Sequence, residues 1–179
     1  YYSESKSIGV SSHKVDDVPF NLKSISSLNL EKAGYTFKGW SVENNDVVTY
    51  TNGQSITTNL ATTAGSIVKL YAVWKDENAP VCSFGSSPTL HTGETGELTL
   101  TCTDNGSGIT NPNLAVSSFS TTANGKVTAV SDPTKVDNGY QYIVTVQGTK
   151  VGNFIVTLNE GAVVDASGNK NIATSSNDV

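Results

Sequence analysis

The second half of this chain is punctuated in a way that leaves few folds open. From Pro80 onward, short apolar-alternating runs are divided repeatedly by Gly, Asn, Asp and Pro, and no helical period takes over. Seven runs read as strands: 80–84, 97–103, 113–119, 126–130, 140–147, 153–158 and 172–179. In the clearest of them Tyr140, Tyr142, Val144 and Val146 share one face, and Phe154, Val156 and Leu158 share another. Such faces can bury each other, and strands at this spacing predict a β-sandwich.

The first half reads differently. A polar stretch over 3–12 leads to a strand near 18–23. In 24–33, Ile25, Leu28 and Leu30 are spaced as on a short helix, with Gly34 as a left-handed C-terminal cap. A helix of this length is marginal alone and must be held by packing. Strands are expected over 35–42 and 67–75, with Asn52-Gly53 as a turn between short strands. In the first, strict alternation puts Tyr35 and Phe37 on one face and Trp40 on the other; in the second, Val68, Leu70, Ala72 and Trp74 share a face. A short polar link, Lys75-Asp76-Glu77-Asn78, precedes Pro80. The expected architecture is mainly β, with a domain over 1–75 and a second over 76–179.

Charge separates the same halves. Residues 1–75 hold seven lysines against six acids, a net of +1; residues 76–179 hold four against ten, a net of −6. An acidic chain without a basic face argues against nucleic-acid binding, which needs cations against phosphate. Arginine and methionine are both absent, and the lack of methionine reads as an internal fragment or a processed product. No apolar run approaches the ~20 residues of a bilayer span, so membrane insertion is not expected.

Few residues can carry chemistry. Cys82 and Cys102 both point inward on consecutive expected strands, which fits a disulfide or two buried thiols. His13 and His91 sit in polar, turn-rich context and read as exposed loop residues. No catalytic triad, phosphate loop or carboxylate pair is spelled out, and no enzymatic activity is expected. The best candidate site is a calcium site built from Asp76, Asp104, Asn105, Asp165 and Asn169, with Glu77 nearby. Oxygen ligands on loops suit calcium, and the same residues also serve as ordinary turn formers. Asn105-Gly106-Ser107 matches a glycosylation acceptor and reads here as a turn. A Lys–Asn crosslink is not expected, because the early strands of the second domain lack lysine. The aromatic residues Tyr35, Phe37, Trp40, Tyr71 and Trp74 read as the core of a very small domain. The competing reading is a glycan-stacking platform, with Trp40 and Tyr71 as ligand-binding residues.

Three segments carry a family resemblance. GYTFKGW (34–40), then Val48-Thr49-Tyr50 with Asn52-Gly53, then LYAVWK (70–75), resemble the Listeria–Bacteroides repeat, also called the internalin-type B repeat. That resemblance covers about residues 19–75 and implies a β-grasp-like module of bacterial surface proteins. The family opens with a strand leading to an Asn-Gly-Gly turn, which has no counterpart before Ser3; its first strand is either upstream or replaced irregularly by residues 1–12. The second half is similar to bacterial immunoglobulin-like adhesin domains through Asp76…Ala79-Pro80, CTDNGSGI (102–109) and EGAVVDASGNKN (160–171). That family commonly continues with a further strand, so the last strand is expected to be clipped. Related adhesin domains hold calcium at domain junctions. The resemblances imply a non-catalytic stalk, spacer or adhesion module, outside the bacterial cell. The alternatives are a module binding glycan or a host surface protein, and an accessory region of a secreted polysaccharide-active enzyme.

Overall fold

In the computed structural model the chain divides into two units, Tyr1–Asp76 and Glu77–Val179, and the described residues of the first form six strands. The structure describes residues 1–3, 6–14 and 16–179, with the backbone only for Tyr2, Lys6 and Ser7. The strands are β1 (Tyr2–Ser3), β2 (Lys6–Ser7), β3 (Phe20–Asn21), β4 (Thr36–Ser41), β5 (Ser55–Ile56) and β6 (Tyr71–Lys75). β4 and β6 pair antiparallel, β1 lies parallel to β6, and β2 flanks β1. β3 and β5 pair separately. Trp40 is 0% exposed and sits among Tyr1, Leu22, Ile56 and Leu70. The rings of Tyr1 and Phe37 meet it edge-on, at 4.9 and 5.0 Å between centroids.

Strict alternation puts Phe37 and Trp40 on opposite faces, yet their rings touch. The cause is a β-bulge. Phe37 pairs with Trp74, but the next pair is Gly39 with Val73, so Lys38 is an extra residue that reverses the parity. Gly39 makes the bulge possible. Its φ is +147°, and a Cβ there would lie 2.5 Å from the Tyr50 carbonyl oxygen, which accepts the Trp40 N–H at 2.8 Å.

Two other expectations for this unit fail locally. The helix over 24–33 is a single 3₁₀ turn, Ser26–Leu28. The Ser24 hydroxyl accepts the Ser27 N–H at 3.2 Å, and Asn29 turns left-handed with φ 48°. Serine and asparagine offer the backbone local partners and so stop the helix. Gly34 does take a left-handed backbone, φ 78°, but as the third residue of a turn closed by Tyr35 N–H on Lys32 O, not as a helix cap. Val68, expected on the inner face, is exposed, because the chain is still leaving a turn closed by Ser66 N–H on Thr63 O.

The second unit contains β7 (Val81–Phe84), β8 (Thr95–Thr103), β9 (Phe119–Thr121), β10 (Gly125–Val130), β11 (Thr134–Val136), β12 (Gly139–Gly148), β13 (Val156–Leu158) and β14 (Thr174–Ser175). One sheet has the order β10-β12-β8-β7, with β11 also on β12; the other has the order β14-β13-β9. β8 and β12 pair without interruption from Gly139↔Thr103 to Gln147↔Thr95. Leu98, Leu100, Tyr142, Val144 and Val146 pack in one core with Phe119, Val156, Leu158 and Val163, giving a two-sheet sandwich. Each such side chain contributes about 1.5–3 kcal/mol on burial.

The expected strand over 113–119 is an extended segment and a 3₁₀ turn, Val116–Ser118; pairing begins only at Phe119. Asn111 Oδ1 accepts the Asn113 N–H and Ser118 Oγ accepts the Ala115 N–H, which takes these amides away from a ladder. β11 adds a strand outside the seven expected ones. At the chain end, Val179 exchanges two backbone hydrogen bonds with Phe154, at 3.0 and 3.3 Å, so pairing extends past β14. Among the described residues no helix is long and apolar enough to cross a membrane.

Two substitutions test these constraints. Gly39→Ala should lower the unfolding free energy of the first unit by about 2 kcal/mol or more, read by urea denaturation followed through tryptophan fluorescence. Tyr142 is 1% exposed and its hydroxyl donates to Pro112 O at 2.7 Å. Burial, then the neighbouring Tyr140, pushes its pKa up to about 12. The unfolded phenol ionises near its ordinary value of 10.0. The resulting stability is complete below pH 10 and is lost as pH rises through about 12. Tyr142→Phe should cost about 1–2 kcal/mol at neutral pH and flatten the decline of stability across that alkaline window.

Candidate metal centre

Two loops of the second unit are shaped around carboxylates. The first leaves β8 at Asp104, whose N–H donates to Asn138 O at 2.8 Å and so continues the ladder. The loop then folds back on its own side chain: Asp104 Oδ2 accepts the N–H groups of Gly106 (3.2 Å) and Gly108 (2.6 Å). The second loop repeats the device. Asp165 Oδ1 accepts the N–H groups of Ser167 (2.9 Å) and Asn169 (2.8 Å), and Oδ2 accepts the Asn169 side-chain amide (2.8 Å).

The loops are stitched together. Ala166 N–H donates to Gly108 O at 2.9 Å, Thr110 N–H to Val164 O at 3.1 Å, and Ser167 N–H to Ser107 Oγ at 3.1 Å. Behind them stands Asn171, 1% exposed. Its Oδ1 accepts the Val163 N–H at 2.8 Å, and its Nδ2 donates to Asn159 O (3.1 Å) and Ile172 O (2.7 Å). One buried amide thus fixes both sides of the segment that presents Asp165. Nothing in the sequence marked Asn171 as different from the surrounding turn residues.

The third carboxylate is Asp76, the residue immediately before the second unit in the chain, and it is 1% exposed. One oxygen from each of Asp76, Asp104 and Asp165 lies within 4.8 Å of the others. Two oxygens at calcium distance, 2.3–2.6 Å, can stand up to about 5 Å apart across the ion. Among the described residues, the buried side-chain atoms without a hydrogen-bond partner are Trp40 Nε1 and Asp104 Oδ1. Asp104 is itself only 6% exposed. The N–H donors on Asp104 and Asp165 named above stabilise and orient each carboxylate, but they leave the repulsion between acidic groups held this close. Hard oxygen donors, preset by backbone N–H groups and carrying one unpartnered lone-pair site, fit a divalent cation such as calcium.

The remaining sequence candidates are not among the three clustered carboxylates. Asn105 is exposed, and its Oδ1 accepts the Asn138 amide at 3.0 Å. Asn169 holds Asp165 in place, and Glu77 is exposed. Cys82 and Cys102 form a disulfide across directly opposed positions of β7 and β8. It closes a sequence separation of 20, which stabilises by roughly 3 kcal/mol through the unfolded chain. Trp40 is fully buried and presents no face to a ligand, while Tyr71 is half-buried in β6. A shallow hollow of about 560 Å³ lies by Leu30, Tyr35 and Trp74, but the Lys32 ammonium stands 4.2 Å over the Tyr35 ring. His13 stacks on Phe20 at 3.7 Å, and His91 Nδ1 lies 3.0 Å from Glu94 Oε2 on the surface. The His91 N–H, then its ring, pulls the Glu94 pKa below its ordinary value.

No family model, no curated protein and no solved structure matches the chain.

Asn171→Ala strips three backbone groups of their partner, the buried Val163 N–H among them. It should destabilise the second unit by about 2–4 kcal/mol in urea unfolding, although Asn171 is not among the three carboxylates.

Proposed function

We propose that the chain is a non-catalytic, calcium-stabilised β module of an extracellular bacterial protein, acting as a stalk, spacer or adhesion segment. The observation that carries the reading is the gathering of three buried carboxylates, one of which, Asp104, carries an unpartnered Oδ1. A single divalent cation ligated by the three carboxylates opposes their mutual repulsion and clamps the segments that carry them. The disulfide supports an oxidising, extracellular compartment. The resemblance of 19–75 to Listeria–Bacteroides repeats, and of 76–179 to bacterial immunoglobulin-like domains, supports a surface protein. Of the aromatic residues offered by sequence as a glycan platform, Trp40 is buried in the core of the first unit with Phe37 packed on it, while Tyr35, Tyr71 and Trp74 are half-buried outside that cluster; the loss of Trp40 from such a platform favours the spacer over the ligand-binding reading.

Calorimetric titration of the chelator-stripped protein should give one calcium site, with a rise in the unfolding temperature of the second unit. Asp104→Asn removes one buried charge. In chelator it should be more stable than the parent; in millimolar calcium it should be less stable, and its calorimetric signal should vanish. Absence of heat with the parent protein at millimolar calcium sinks the cation reading.

A further inference from the structure

The disulfide and the carboxylates meet at one end of the same sheet. β7 is an edge strand of four residues whose ladder partner is β8. The Cys82–Cys102 bond crosses that ladder. β8 ends at Thr103, one residue past Cys102 and one before Asp104, and Thr103 pairs with Val81 on one side and Gly139 on the other. In the opposite direction β7 is entered from Asp76 through the buried Pro80. The covalent bond therefore fixes the strand that follows Asp76 against the strand that delivers Asp104.

We propose that the cation site and the disulfide are coupled: a bound divalent cation protects the disulfide from external thiols, and reduction weakens the hold on the cation. This rests on the cation reading above. Reduction proceeds by attack of an external thiolate on Cys82 Sγ, since Cys82 is 8% exposed and Cys102 is 0%. The Sγ–Sγ bond breaks, Cys102 leaves as a thiolate and takes a proton, and a second external thiol resolves the mixed disulfide. Two external thiols are oxidised to one disulfide while the cystine gains two electrons and two protons. For the first attack, the β7 edge has to lift from β8. Lifting also draws the chain at Asp76 away from Asp104, and a cation ligated by both carboxylates opposes it. The coupling is reciprocal, because both events bias one local opening.

The test follows thiol release from the full chain in millimolar glutathione, with calcium chloride or with chelator, at urea concentrations below the unfolding transition. Saturating calcium should slow reduction about tenfold, with a rate nearly independent of urea, and Asp104→Asn should abolish the calcium effect. A rate untouched by calcium that calorimetry shows to be bound overturns the coupling and leaves the cation site standing. So does a rate that tracks global unfolding in urea. If calcium does not bind the oxidised protein, the cation reading falls and the coupling with it. A second arm removes the bond: Cys82→Ala with Cys102→Val, checked for folding by circular dichroism, should bind calcium about tenfold more weakly. An unchanged dissociation constant overturns the proposal.

Discussion

The antiparallel pairing of β8 with β12 is the interaction on which the second unit depends. Its register places Leu98 opposite Val144 and Leu100 opposite Tyr142, so that one inner face is continuous and apolar. A shift by one residue would turn that whole set outward, which is why the pairing tolerates no slippage. The same ladder places Cys102 opposite Cys82 on its other side and carries Asp104 to the sheet edge, held by Asn138 O. Core, crosslink and carboxylate cluster are thus successive consequences of one register.

The loops obey a different economy. Asp104 and Asp165 each gather backbone N–H groups that would otherwise lack partners in tight, glycine-rich turns. That satisfies the backbone while concentrating negative charge out of reach of water. A fold that needed only turns could have used exposed side chains. Burial of all three carboxylates is what sets this arrangement apart from ordinary turn chemistry, and Asn171 maintains it from behind.

Period-two alternation made β8, β12 and β13 legible in the sequence, because each turns one face into a core. The opposition of Cys82 and Cys102 was legible for the same reason. The bulge at Lys38-Gly39 was not: one inserted residue inverts parity, and only the pairing with Val73 reveals it. The 24–33 and 113–119 segments misled because their apolar spacing was overridden by serine and asparagine side chains bonding the backbone locally. Of the calcium candidates, Asp76, Asp104 and Asp165 converge, whereas Asn105 and Asn169 take structural partners. Their types were visible in the chain, but convergence depends on loops far apart in sequence, which no local pattern encodes.

The crosslink also decides how the second unit would respond to tension. Force applied at its two ends reaches β7 early, since that strand lies near the unit's N-terminal end. Once β7 yields, the covalent bond carries the load directly from Cys82 to Cys102. The enclosed segment stays slack and withholds about 65–70 Å of contour length from extension. A module built this way lengthens less than its residue count implies, and keeps a knot of structure around the strand that leads to Asp104 while the rest gives way.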